Sequence, residues 1–421
     1  MSEKPSETYR GPLTGVRVVD LTRVLAGPYS TSILGDMGAE VIKIEDTKGG
    51  DSSRVTHPLL HGISSHFLNL NRNKKSVAID LKHPRGREKV LDLVRVSDVV
   101  VENFRPGVLA RLRLDYADLI EVNPSVILCS ISGFGQESSL RDRPSYDVIT
   151  QALSGAMSVT GEPGRPPVRL GVPMGDLSGG LFGALAILGA LHERTTTGRG
   201  QRLDVSMLDG LVHLMLYYPI DYLNAGIVAK PVGGRHEHIA PYGVFEVADG
   251  YLVLAIFHGK FWNLYCEAIE HPELLTDARF IHAADRHRNR AELYPILEEI
   301  MIKRTRAEWQ ELLDRVGVPA APILTSDQVA NMPLLREREM FVEQEHVQAG
   351  HVWVSGRPIK YPDRELAPMT PAPILGEHTR EILGSLAGTS AEQLNLLEEE
   401  GVVKSAPDPG QAERRFLSAW V

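Results

Sequence analysis

The chain has 421 residues, 43% of them hydrophobic and 24% charged, which excludes a disordered or fibrous protein and leaves room for two or three domains. Its 45 basic and 54 acidic residues give a net charge of −9 with no basic block interleaved with aromatics, so nucleic acid is excluded as the expected partner. No run approaches the ~18 apolar residues of a membrane span and the opening MSEKPSETYRGPLTG is polar, so a cytoplasmic protein with no membrane partner is expected.

Five β-branched runs come first: VRVVD (16–20), EVIKIE (40–45), SVAIDL (76–81), DVVVEN (98–103) and SVILCSI (125–131). They alternate with helical patterns, and that alternation predicts a parallel sheet in a doubly wound α/β layer. Helical spacing covers 28–38 and 84–97, with Val90, Leu91, Leu93 and Val94 on one apolar face of the second. After the first run, LTRVLAGPYSTSILGDMG lacks the G-x-G-x-x-G that lets a backbone approach a pyrophosphate, so dinucleotide binding in the NAD manner is excluded. Arg72, Lys74 and Lys75 in NRNKKS are expected to form a solvated turn rather than a phosphate site. Cys129 and Cys266 fall inside apolar segments and read as reduced core thiols.

Residues 160–191 are the most informative stretch, a Gly- and Pro-rich loop up to Gly175 followed by Leu177, Leu181, Leu185, Leu188 and Leu191 on an apolar helix. Asp176 stands at the junction. Position alone favours a helix cap. The alternative is a functional carboxylate, kept ionised by the helix N-terminus, with Gly171, Gly175, Gly179, Gly180 and Gly183 leaving room for a ligand.

From about residue 226 the texture changes to a loop, GGRHEHIAPYG, and then to a hairpin around Asp249-Gly250. Trp309, Leu312, Leu313 and Val316 place one buried face on a helix over 305–316, and a Pro-rich connector at 367–376 precedes another helix near His378. A large domain over 1–225, a small domain over 226–325, and a linker with return to the large domain over 326–421 are therefore expected. His236-Glu237-His238 has no third ligand at a recognisable spacing, so no metal is expected, and no G-x-S-x-G elbow occurs.

The segments VRVVDLTRVLAGPYSTSILGDMGAEVIKIE, NRNKKSVAIDLK, VENFRPGVLARL, SYDVITQALSGAMSVTG, MGDLSGG, TGRGQ and PAPILGEHT occur in this order from about residue 11 to 385. In them the chain resembles the family III CoA-transferases, the group of formyl-CoA transferase, carnitine CoA-transferase and α-methylacyl-CoA racemase. The resemblance implies a ring-like protomer with a large Rossmann-like domain and a small α+β domain on long linkers. It further implies a homodimer of interlocked rings, with a heteromer of paralogous subunits as the alternative. Coenzyme A and acyl-CoA would be substrates, with no tightly bound cofactor.

By the same resemblance Asp176 is the nucleophile, CoA is contacted by Leu25, Ala26, Ile79, Lys82, Asn103, Phe104 and Arg111, and Tyr146 lies in the active site. Formyl-CoA transferase carries an arginine after the VIKIE strand where this chain has Asp46, so phosphate binding is expected to draw on Arg54, Lys82 or Arg111. Backbone N–H groups near Gly175 or Gly233-Gly234 are the candidate oxyanion donors. Racemases of the group use a histidine where Tyr146 stands, and a tyrosine with its pKa near 10 is a poor base, so transfer is expected over racemisation. Gly233, Gly234, Arg235 and His236 replace a four-glycine lid, with Arg235 either a carboxylate ligand or a solvated loop residue. The layout is closest to the branch that moves CoA from succinyl-CoA to dicarboxylic acids. Formyl-CoA:oxalate transfer, carnitine CoA transfer and a non-catalytic acyl-CoA-binding protein are the remaining alternatives.

Overall fold

The structure, a computed structural model, describes Tyr9 and residues 11–407, and the chain divides into two units. The larger comprises the described residues up to Ala156, then Leu170–Leu223, then those from Arg336 onward. The smaller comprises Met157–Arg169 and Asn224–Leu335, so it takes ten residues more at its C-terminal end than the sequence pattern indicated, and a segment before the Asp176 helix as well.

Seven strands build the sheet of the larger unit: β1 (Arg17–Asp20), β2 (Glu40–Glu45), β3 (Lys74–Ile79), β4 (Val99–Glu102), β5 (Ile127–Ser132), β6 (Arg202–Ser206) and β7 (Val403–Lys404). Their order is β7-β3-β2-β1-β4-β5-β6. β1 to β6 run parallel, and β7 closes one edge antiparallel to β3. Alternate side chains feed two cores on opposite faces: Val19, Ile42, Val77 and Val100 on one, Val18, Val41, Val99 and Cys129 on the other. Burial on both faces is why these strands read as continuous apolar runs.

Helix α1 (Ala26–Asp36) begins two residues before the expected Pro28. A proline in the first turn lacks an N–H that would have no helical partner there, so it does not mark the boundary. Helix α2 (Pro84–Arg95) does carry its proline at the start, with the His83 ring accepting from the Arg85 N–H, and buries Val90, Leu93 and Val94. β3 starts two residues before its apolar pattern because Lys74 is itself buried, its ammonium 3.0 Å from the Asp20 carboxylate. Arg72 is likewise buried against Asp36, and Lys75 pairs with Glu40 and Glu381. NRNKKS is therefore not a solvated turn but a set of ion pairs, buried at Arg72 and Lys74 and half-exposed at Lys75.

Three further helices carry the site: α3 (Asp147–Leu153), α4 (Met174–Thr197) and α5 (Met207–Leu214). By length and composition α4 is apolar enough to cross a membrane, yet its small-residue face is packed inside the unit, with Ala184, Ile187 and Ala190 in the core. The leucines that signalled it do not form one buried face, for Leu188 and Leu191 pack against the core while Leu181 and Leu185 are exposed.

In the smaller unit, strands Tyr242–Val247 and Gly250–Ala255 form the expected hairpin, joined by Ala320–Pro322 in an antiparallel sheet. Trp262, Cys266, Leu297, Trp309 and Leu313 fill its core. Thr305 and Glu308 make a capping box at the start of helix Arg306–Val316, and Gly317, with φ of 72°, ends it. Both cysteines are buried free thiols.

Candidate active site

The sheet order reverses between β1 and β4, so the chain leaves these two strands toward opposite faces and a crevice opens beyond their carboxyl ends. The loop after β1 and the Asn103-Phe104 pair after β4 meet there. The Asn103 amide accepts from the Arg23 N–H and donates to the Arg23 carbonyl, both at 2.8 Å, while the Arg23 guanidinium lies 5.2 Å from the Phe104 ring centroid.

Val24 is held at a φ of 68°. For a β-branched residue this left-handed conformation costs on the order of 1–3 kcal/mol. Asp51 offsets the strain by accepting the Val24 N–H at 3.1 Å. Burial opposes the charge of Asp51, but Lys43 and the hydrogen bonds from Ser53 outweigh it and bring the carboxyl down to about 2.

Beside this loop lies a cleft of about 340 Å³ lined by Ile79, Leu81, Phe104, Val108 and Leu112, with Arg23, Lys82 and Arg105 as its cations and Asp46 and Asp80 among them. Ile79, Lys82 and Phe104 are thus brought together. Its apolar walls suit a flat heteroaromatic ring and its cations suit phosphates. Arg111 is exposed on the short helix Val108–Leu112 and does not line the cleft.

Arg54 is a correction. It is buried, bonds Glu45 through Nε at 2.8 Å and Nη2 at 2.7 Å, donates to the Pro373 carbonyl and lies over Phe67. A guanidinium so engaged serves the fold first, with Nε and Nη2 both spent on Glu45 and the Pro373 carbonyl.

Leu25 is the half-buried residue preceding α1 and Ala26 its buried first residue, with no side chain capping this terminus. The Ala26 carbonyl lies 2.7 Å from where a Cβ on Gly180 would fall, so α1 and α4 touch one helical turn from Asp176. Internal packing, not a ligand, also accounts for Gly175, Gly179 and Gly183. A Cβ at Gly175 would stand 2.1 Å from Thr150 Oγ1, one at Gly179 2.9 Å from Met207, and one at Gly183 2.7 Å from Ile131. Only Gly171 of the five has open space around it.

Asp176 is not the helix cap. α4 starts at Met174 after Pro173, which puts Asp176 in the third helical position. The helix N-terminus does not hold it in the ordinary carboxylate range either, since burial and then the neighbouring Asp147 charge push its carboxyl from the ordinary 3.8 up to about 7. Gly175 cannot serve an oxyanion, because its N–H donates to Asp147 Oδ1 at 2.8 Å. Tyr146, 72% exposed, immediately precedes α3 and Asp147.

In the smaller unit the Gly233–His236 segment is tied down rather than open. The Gly233 N–H donates to the Gly161 carbonyl at 3.0 Å, the Gly234 carbonyl accepts from Val244 at 2.7 Å, and the His236 N–H reaches the Tyr242 carbonyl at 2.9 Å. Gly233 is thereby also withdrawn as an oxyanion donor. Arg235 bonds Glu298 at 2.6 Å through Nη2 and stacks on Phe245 and Tyr294, so it is not a solvated loop arginine. Burial first, and then His238, lower the pKa of His236. Among the described residues no three His, Cys, Asp or Glu side chains are placed to hold a metal ion.

Sequence reasoning missed Asp147, Gln151 and Asp51. Asp147 and Gln151 had a signal, an Asp and a Gln at i and i+4 directly after Tyr146. Asp51 had none, because it acts across the fold.

A model of the family described as CoA-transferase family III matches residues 13–379. The chain is 39% identical over 373 residues to the succinyl-CoA:glutarate CoA-transferase of Mus musculus, covering 88% of this chain and 86% of that one. It is 37% identical over 391 residues to the succinyl-CoA:mesaconate CoA-transferase of Haloarcula hispanica, covering 89% and 96%. The crystal structure of a CaiB/BaiF family protein from Brucella suis superposes with a TM-score of 0.81 at 36% identity, over 90% of this chain and all of that one.

Proposed function

The chain belongs to CoA-transferase family III, and we propose that it moves CoA from succinyl-CoA to a dicarboxylic acid with Asp176 as the covalent nucleophile. The observation that carries this reading is the Asp176 carboxyl, partly buried in the first turn of α4, one turn from where α4 touches the first residue of α1. The relatives' names supply the substrates: succinyl-CoA as donor in both, glutarate or mesaconate as acceptor.

In the first step the ionised Asp176 attacks the succinyl thioester carbonyl; its C–O bond forms, the C–S bond breaks, and CoA leaves as the thiolate beside a mixed anhydride. The thiolate then attacks the aspartyl carbonyl and expels succinate, giving aspartyl-CoA thioester. The acceptor carboxylate attacks that thioester, the thiolate returns to the acceptor's carbonyl in the new anhydride, and Asp176 is released as carboxylate. Each tetrahedral intermediate needs N–H donors. With the Gly175 and Gly233 N–H groups engaged, the uncapped first turn of α1 at Leu25–Gly27 supplies them. Adenine binds between Ile79 and Phe104, with phosphates near Arg23, Lys82 and Arg105 and no cation drawn from Arg54.

Tyr146 disfavours proton exchange at Cα, since it stands where the racemases that the chain resembles carry the histidine that acts as the second base. The chain acts as a homodimer in this reading, and exposed Leu181, Leu185, Leu216 and Leu223 form the apolar surface a second copy would cover. A donor and acceptor panel read by mass spectrometry tests the substrates. Glutaryl-CoA or another dicarboxyl-CoA is expected from succinyl-CoA, and activity with monocarboxylates alone would refute the assignment.

A further inference from the structure

We propose that Asp147 is a positioning residue of the reaction, holding the first turn of α4 in place and setting a fixed negative charge beside the Asp176 carboxyl. The proposal rests on Asp176 being the nucleophile.

Pro173, which precedes α4, makes no capping hydrogen bond with its side chain, so the first N–H groups of the helix depend on other partners. Asp147, from another helix, meets that need. Its Oδ1 accepts the Gly175 N–H at 2.8 Å and, more weakly, the Asp176 N–H at 3.4 Å. Its Oδ2 accepts from Gln151 Nε2 at 2.7 Å. Gln151 is completely buried, and its Oε1 accepts the Leu170 N–H at 2.8 Å. One Asp–Gln pair, four residues apart on α3, therefore fixes both the start of α4 and the chain approaching it. Gly175 is what permits this closeness, for a Cβ there would lie 3.0 Å from Asp147 Oδ1.

The same contact is electrostatic. The elements packed against α4 also carry Tyr29 and Asp36 on α1, Cys129 on β5, Arg202 and Asp204 on β6, and Asp209 and His213 on α5, and among these groups it is Asp147 that raises the Asp176 carboxyl. A neighbouring anion makes Asp176 harder to ionise and more basic once ionised. Attack on a thioester carries that charge away onto the acyl oxygen, so the repulsion is relieved as the bond forms.

Two variants separate the roles. Asp147→Asn keeps an acceptor for the Gly175 N–H and removes the charge, whereas Asp147→Ala removes both. In Asp147→Asn the acid limb of kcat/KM is expected to fall by about one pH unit. The high-pH plateau should stay within about tenfold of wild type, and Asp147→Ala should be slower at every pH with an unchanged KM for acyl-CoA. An acid limb that stays in place in Asp147→Asn overturns the proposal.

A second readout needs no activity. The pH-dependent gain in unfolding midpoint produced by Asp176→Asn should shrink in an Asp147→Asn background, and an unchanged gain again overturns it. Should the wild-type protein transfer no CoA, the proposed function fails, while the unfolding experiment still decides whether Asp147 acts on Asp176.

Discussion

Replacing Asp176 by Asn should abolish CoA transfer and, at neutral to alkaline pH, make the protein more stable. In the fold, burial and the Asp147 charge raise the Asp176 carboxyl from 3.8 to about 7. A carboxyl whose folded value lies above its unfolded value costs stability as pH rises from the unfolded value through the folded one, and the cost levels off above the latter. At about 1.4 kcal/mol per unit, a shift of this size corresponds to an upper bound of about 4 kcal/mol above pH 7. Partial exposure of the side chain reduces that to about 2–3 kcal/mol. Urea unfolding of wild type and Asp176→Asn at pH 4, 6 and 8 reads it directly. The variant's advantage should be near zero at pH 4, intermediate at pH 6 and full at pH 8. An advantage independent of pH, or a loss at pH 8, would refute the reasoning.

Other residues separate fold from chemistry. Arg54→Ala strips buried Glu45 of its bidentate partner, leaving it Ser76, the Asp51 N–H and the more distant Lys43, and should cost about 3 kcal/mol in unfolding experiments without raising KM for acyl-CoA. Lys82→Ala, at an exposed residue on the cleft, should do the reverse, raising KM several-fold with stability within about 0.5 kcal/mol of wild type. Gly175→Ala drives a methyl group into Thr150 and should cost about 1–3 kcal/mol and most of the activity, the latter measured by initial rates. Arg235→Ala should lower stability through lost stacking on Phe245 and Tyr294 while leaving KM for the acceptor acid unchanged.

The parallel sheet was legible because β1 to β5 are buried on both faces, so their β-branched runs stand out from the helical spacing between them. β6 was not, since RLDVS alternates exposed Arg202 and Asp204 at an edge, and β7 is only two residues long. Charge in the core was misread as charge in solvent at Arg72 and Lys74, which find Asp36 and Asp20 only in three dimensions, and Arg54, expected at a phosphate, finds Glu45 in the same way. Asp176 stood out in sequence by its place before an apolar helix and by the motif around it. Its environment did not, because the anion beside it, Asp147, lies 29 residues away in the chain. The glycines around Asp176 illustrate the same limit, since a sequence cannot tell a glycine that admits a ligand from one that admits a neighbouring helix.

The most direct test of the central assignment is to incubate the protein with succinyl-CoA, quench with hydroxylamine and map the modified peptide by mass spectrometry. A hydroxamate on Asp176 that is absent without donor and absent in Asp176→Asn is the predicted result. Turnover of succinyl-CoA with Asp176 unmodified, or undiminished transfer by Asp176→Asn, would contradict it.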